Sequence, residues 1–238
     1  MGKPGRAALA VTMALVLAGC TDDDEPVLGA APLGDRDGRT VTAELADRQE
    51  ARLDIVSGAS VIIVRAADLN GALFRASTPD GSRVLPTAGV DGDTVRVALR
   101  DGAGPGNAEL RVELSSRVTW RIRLDGGANQ QSLDLREGRL AGLEFGAGST
   151  RIDATLPRPS GSVVVRMAGG ASVFDLHLSE GDPATVLIAG GAGSATLDGT
   201  TRTGIAAGTT LSTGDTAATD RYQVDLMAGV STFSIDRI

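Results

Sequence analysis

Gly146-Ala147-Gly148-Ser149, followed by Ile152, Ala154 and Leu156 alternating with polar neighbours, is the unit that decides the fold. A corner of small residues feeds a short strand whose apolar side chains share one face. The same corner stands at Gly126-Gly127-Ala128-Asn129, Gly169-Gly170-Ala171-Ser172 and Gly190-Gly191-Ala192-Gly193-Ser194. Spacings of about 20 to 23 residues mark stacked structural repeats, so the stretch from Trp120 to Asp198 predicts an all-β chain wound as a β-solenoid. Glycine suits such corners because a residue there needs either φ > 0 or close approach to the next backbone layer.

Outward from this stretch the same arithmetic holds. Val118, Trp120, Ile122 and Leu124 share one face opposite Arg117, Thr119, Arg121 and Arg123, so Trp120 is predicted to fill the core. Leu133 and Leu135, then Phe174, Leu176 and Leu178, point inward by the same period of two. Upstream, Ser57-Gly58-Ala59-Ser60 carries the corner signature and joins two strand-like runs, Leu53 to Val56 and Val61 to Val64. Further strands are read at Thr94 to Leu99 and Glu109 to Leu114. Downstream, the Thr- and Gly-rich segment from Thr200 to Asp220 reads as a long loop, with Tyr222 to Leu226 and Thr232 to Asp236 as closing strands. One domain is expected over 41–238, with regular repeats from about 118.

Composition narrows the function classes. The 238 residues include 32 Gly and only 3% aromatics, which suits many short strands around a narrow aliphatic interior. The net charge of −7 opposes binding to nucleic acid or to bare anionic lipid. The first residues read as a secretory signal: Gly2 to Arg6 is cationic and Ala7 to Ala18 is apolar but too short to span a bilayer. The run ends in Leu17-Ala18-Gly19-Cys20, which resembles the bacterial lipobox. That resemblance implies cleavage before Cys20, the chain's one cysteine, and diacylglycerol on its thiol. Residues 1–19 are then a signal peptide and 20–40 a lipidated, flexible tether. Loss of Lys3 and Arg6 leaves 21 Lys and Arg against 30 Asp and Glu, a balance of −9. The acidic run Asp22 to Glu25 belongs to this linker.

Candidate chemistry is sparse. His177 is the one histidine and has Asp175 two residues away, but an open strand offers no pocket to orient a catalytic base. One histidine and a lipidated cysteine leave too few ligands for zinc. Gly102-Ala103-Gly104-Pro105-Gly106 has no helix pattern after it, and Pro105 removes a backbone donor, against a phosphate loop. Asp134, Asp153, Asp175 and Asp198 recur once per repeat on the outward side. If they stacked about 4.8 Å apart, a divalent cation or neighbouring arginines would have to offset the repulsion; the alternative is a solvated face that discourages aggregation. The expectation is no catalytic residue, no metal and no cofactor.

The run Trp120 to Ala128, then Phe145 to Ser149, Leu156-Pro157, Gly190 to Ser194 and Ala228-Gly229-Val230-Ser231-Thr232 resembles the toastrack-type β-solenoid domains of bacterial envelope proteins. Among these are the cell-wall-active-antibiotics-response family and the adhesin families. The resemblance runs from about Val118 to the C-terminus and implies an envelope setting without catalytic residues. The expected function is a non-enzymatic lipoprotein, held at the outer face of the cytoplasmic membrane through Cys20, whose solenoid contacts an envelope protein or polymer. The alternatives are an accessory to envelope-stress signalling and a carbohydrate-active β-helix enzyme. The second of these calls for clustered carboxylates and aromatic platforms, against one Trp and one Tyr here.

Overall fold

The structure is a computed structural model that describes residues 1–2, 33–35 and 37–238. Cys20, the signal segment and most of the tether lie outside the described residues. Within them the chain is all-β: twenty strands and no helix. In chain order these are β1 Leu33–Gly34, β2 Thr40–Glu44, β3 Glu50–Ile55, β4 Ala59–Ala67 and β5 Ala72–Ser77. Next come β6 Val84–Asp91, β7 Thr94–Asp101, β8 Glu109–Ser115, β9 Thr119–Leu124 and β10 Ala128–Asp134. Then follow β11 Arg139–Phe145, β12 Ser149–Thr155, β13 Ser162–Met167, β14 Ala171–Leu178 and β15 Ala184–Ile188. The last are β16 Ala192–Leu197, β17 Thr200–Ile205, β18 Thr209–Thr213, β19 Arg221–Leu226 and β20 Val230–Arg237.

Two open sheets face each other. The first has eleven strands in the order β1-β2-β5-β8-β4-β10-β12-β14-β20-β16-β17, the second nine in the order β18-β15-β19-β13-β11-β9-β3-β7-β6. The chain crosses from the second sheet to the first at each small-residue corner, so that β9/β10, β11/β12 and β13/β14 form successive layers, here called rungs. Rungs stack in parallel, with Ala59, Ala128, Ser149 and Ala171 in one line at the corner.

The corners need glycine for close approach. A Cβ on Gly126 would run into the backbone of Ser57 and Gly58, and one on Gly169 into that of Ala147 and Gly148. Of the corner glycines only Gly191 has positive φ, at 81°. Between the alternatives the sequence left open, contact between backbone layers is therefore the dominant reason.

Rung order departs from sequence order in two places. β3/β4 lies between β7/β8 and β9/β10, and β19/β20 lies between β13/β14 and β15/β16. The corner at Gly190 consequently packs on Ala228 and Gly229. The expected closing strands are therefore corrected: they are an inserted rung, and the stack closes elsewhere. Side chains explain the insertion. Phe174 packs edge-on against Phe145 from the opposite sheet at 5.4 Å and against Phe233 of β20 at 5.6 Å, whereas the facing position on β16 is only Ala195. Placing β16 beside β14 would leave Phe174 against a methyl group and open a void.

The core runs between the sheets as predicted: Val118, Trp120, Ile122, Leu124, Leu133, Leu135, Ile152, Ala154, Leu156, Phe174, Leu176 and Leu178 are all buried. Trp120 finds a partner for its indole, Nε1 donating to the Ser115 carbonyl at 2.9 Å, and the Tyr222 hydroxyl donates to the Pro157 carbonyl at 2.5 Å. A large polar residue interrupts the core: Gln131 sits fully buried between Ile62 and Ile152. Its Nε2 reaches the Gly126 carbonyl only at 3.4 Å, and its Oε1 has no protein partner.

The two ends close differently. At the N-terminal end β5 and β6 turn back antiparallel, and β2 pairs on β5 and reaches across to touch β6. Phe74 and Ala76 are buried beneath it, and Pro86 stands in the outermost strand of the second sheet, where a missing donor discourages further pairing. At the C-terminal end the segment expected as a loop, Thr200 to Asp220, instead supplies edge strands β17 and β18. Their core-side positions turn partly polar: Ile205 and Leu211 are buried opposite Ala192 and Val186, but Arg202 lies opposite Ala195, and Thr213 opposite Ala184. An inward charge on an outermost strand ends the stack.

Candidate functional site

On the first sheet the expected aspartate row resolves into two columns. Asp153 and Asp175 are direct neighbours, flanked by Ser132 and Ser234. Asp134 belongs to the next column, in line with Arg65, Thr155, His177 and Asp236. Asp198 caps β16 in a left-handed conformation at φ 47°. A strict ladder of four is thus corrected to one adjacent pair, and arginines offset the charge. Arg151 meets Asp175 at 2.6 Å, Arg136 grips both oxygens of Asp134 at 2.9 and 2.8 Å, and Arg237 meets Asp198 at 2.7 Å. The Arg136 hydrogen bond holds the Asp134 carboxyl below its ordinary range, as the Arg237 hydrogen bond does for Asp198.

His177 is half-buried, and its Nε2 lies 3.7 Å from the Asp153 carboxylate, a neighbour across the sheet and not the sequence-near Asp175. Among the described residues no serine hydroxyl bonds to it, and no group of three or more His, Cys, Asp or Glu side chains is placed to hold a metal ion. Arg65, Arg111, Ile63, Ser132 and Asp153 line an open groove of about 610 Å³ on this face. The glycine loop at 102–106 packs on another turn, Gly106 N donating to the Gly81 carbonyl at 2.8 Å, and leads into strand β8.

The outward face of the second sheet carries a pattern not visible along the sequence. In one column run Arg96, Asp54, Arg123, Glu144, Arg166 and Asp225, on six successive strands. Charge alternates at every step. Arg123 meets Glu144 at 3.5 Å and Arg166 meets Asp225 at 3.4 Å, while Arg52 and Arg123 also bond Asp54 and Asp125 at 2.8 and 2.7 Å. Opposite charges across neighbouring strands favour this register and like charges oppose others. Here too the inserted rung fits, because Asp225 of β19 lies beside Arg166 where β15 would offer Leu187.

The adjacent column places Arg52 beside Arg121, then Gly142 and Val164. Arg121 is exposed and makes no ion pair among the described residues. At Gly142 the strand bulges, Ala141 being the extra residue between Leu140 and Gly142. Gly142 lacks positive φ, and a Cβ there would find its nearest neighbour at 3.6 Å, so neither backbone nor packing requires glycine. The result is a shallow notch beside a free guanidinium.

Arg237 organises the C-terminal end with all five of its N–H donors. Nε and Nη2 bond the Asp198 carboxylate, Nη1 the carbonyls of Ser179 and Asp182, and Nη2 also the Thr213 hydroxyl at 2.9 Å. Three separate segments meet on one planar group. Asp182 beside it is buried with Oδ2 lacking a partner, and burial raises its pKa against the pull of Arg158 and Arg237. Burial likewise raises that of Tyr222. Isolated in sequence and remote from their partners, Arg237 and Asp182 gave no signal before the fold was known.

No family model matches the chain, and no curated protein matches it in sequence. Its fold is similar to the crystal structure of a putative cell adhesion protein from Clostridium sporogenes ATCC 15579. The TM-score is 0.59 at 14% identity, covering 87% of this chain and 100% of that one. A putative adhesin (BF0245) from Bacteroides fragilis NCTC 9343 gives a TM-score of 0.26 at 8% identity over 83% of this chain and 97% of that one, too slight to carry an argument. The first likeness shows a shared fold. Among the described residues no helix is long and apolar enough to cross a membrane.

Proposed function

We propose that this chain is a non-enzymatic, adhesin-like interaction module of the bacterial envelope. In this proposal a toastrack-type β-solenoid is held at the outer face of the cytoplasmic membrane by lipid on Cys20, and its sheet faces contact envelope proteins or polymers. One observation carries the proposal: the charged side chains are spread over two broad, open faces and paired in place, as with Arg151 and Asp175 or Arg166 and Asp225. A hydrolase or lyase needs such groups to converge on one bond. The fold shared with a protein named for cell adhesion is consistent with this reading.

The test uses the full-length chain in the membranes of expressing cells. Metabolic labelling with an alkyne fatty acid should tag the wild type and miss Cys20→Ala. Cross-linking and capture should recover a repeatable envelope partner, lost when Arg65→Glu and Arg111→Glu are combined on the first-sheet groove. Label that persists in Cys20→Ala would remove the anchor, and release of reducing ends or unsaturated products from envelope glycans by the pure protein would remove the non-enzymatic reading.

A further inference from the structure

The outward face of the second sheet is self-complementary, and we infer that it is the interface of a two-fold homodimer. A two-fold axis that runs along the strands between β9 and β11 brings two such faces together and reverses the order of strands in the second copy. Because the charge column has six members of alternating sign, reversal sets every cation against an anion. Arg123 faces Glu144 of the second copy, Asp54 faces Arg166 of the second copy, and Arg96 faces Asp225 of the second copy. A two-fold axis across the strands would set like against like.

Shape follows the same operation. In the neighbouring column the reversal places the unpaired Arg121 over the notch at Gly142 of the second copy. One position beyond each end of the charge column stand Leu187 on β15, 36% exposed, and Gly89 on β6; the reversal brings these two together. Both glycines are free to take a side chain: a Cβ on Gly89 meets nothing within 4 Å, and neither has positive φ. Two glycines without a role inside the chain thus receive two long exposed side chains from the second copy. Isologous contacts require this kind of self-matching, and a strand glycine without a local cause marks the approach of another molecule.

The size is adequate. Eight strands from β6 to β15, spaced about 4.8 Å and about 20 Å long, give roughly 700 Å² per copy, close to the approximately 800 Å² of an ordinary stable interface. In a chain of net charge −7 the paired columns offset, at the contact itself, part of the repulsion between two copies.

The test is sedimentation velocity on the full-length chain in mild detergent over a concentration series. A reversible dimer is expected that weakens as ionic strength rises. Gly142→Arg, which sets two arginines together at both symmetry-related sites, should weaken it at least about 100-fold. Gly89→Arg, which sets a charge against Leu187, should weaken it to a smaller extent, and both variants should keep the wild-type thermal midpoint at concentrations low enough for the wild type to be monomeric. Gln130→Arg, on the outward face of the other sheet, should leave dimerisation unchanged. A monomer at every concentration overturns the proposal. So does a dimer undiminished by Gly142→Arg, or one that Gln130→Arg weakens equally.

Discussion

The N-terminal end of the stack closes by folding apolar strands over itself, whereas the C-terminal end closes by turning part of its core-side positions polar and tying the corner with one arginine. At the first end Phe74 and Ala76 disappear beneath β2, and the outermost strand carries Pro86. At the second, Arg202 and Thr213 occupy positions where earlier rungs place aliphatics, and Arg237 joins Ser179, Asp182, Asp198 and Thr213. Packing resists deformation wherever it occurs, while a hydrogen-bonded corner depends on charge state. The ends should therefore fail under different insults.

The largest effects come from attacking each end in kind. Phe74→Ala should cost about 3–5 kcal/mol in urea unfolding, because a fully buried ring leaves a cavity that the closed end cannot collapse. Arg237→Met should cost about 1–3 kcal/mol, since it strands the Ser179 and Asp182 carbonyls, while the partly exposed Asp198 carboxylate keeps the Thr213 hydroxyl. Hydrogen exchange separates the two: the arginine variant loses protection in β15 to β18 while β2 and β5 keep theirs. Equal loss at both ends would erase the comparison.

Acid sharpens the contrast. The Asp198 pKa is held down chiefly by its Arg237 hydrogen bond, so its contribution is full above the ordinary value of 3.8 and is lost as pH falls through the lowered value. Asp182 has the opposite sign. Burial raises its pKa, so the folded state is favoured most below 3.8 and pays a constant penalty once pH has risen through the raised value. Asp182→Asn should accordingly raise the thermal midpoint at pH 7 and change it little at pH 3, while Asp198→Asn should lower it most at pH 7 and less as pH falls. An N-terminal end that loosened first on acidification would contradict the assignment.

Smaller effects belong to the rungs between. Gln131→Leu should be neutral or stabilising by about 1 kcal/mol, because it removes a buried acceptor without a partner from a site lined by Ile62 and Ile152. Arg166→Glu should cost only about 0.5–1 kcal/mol, through like charges set against Glu144 and Asp225. Both are read from chemical denaturation midpoints.

What could be read from the sequence was what repeats along it. Corners and inward positions obey a period of two and a recurring glycine, and each named inward residue from Val118 to Leu178 is buried. Rung order was not legible, since it is set by matches between distant residues: Phe174 with Phe233, Arg166 with Asp225. The charge column on the second sheet is invisible for the same reason, because its signs alternate across strands and never along one. Strands β17 and β18 read as a loop in the sequence because, at the outer edge, few of their side chains are buried and no apolar alternation remains. The aspartate row was partly legible. Counting from the aligned corner residues Ala128, Ser149 and Ala171 puts Asp134 level with Thr155 and His177, one column from Asp153 and Asp175.

The inserted rung is the feature on which the rest depends, and cysteine pairs test it directly. Val164 and Gln223 face each other on β13 and β19, and Thr185 of β15 lies one strand further. Neighbouring strands set Cα atoms about 5 Å apart, within disulfide reach, whereas two strands set them almost 10 Å apart, beyond it. Val164→Cys with Gln223→Cys should therefore close an intramolecular disulfide on mild oxidation, and Val164→Cys with Thr185→Cys should stay reduced, as read by mass spectrometry. The reverse outcome, with Thr185→Cys bonded and Gln223→Cys free, would mean that β13 and β15 are neighbours and that the rungs follow sequence order after all.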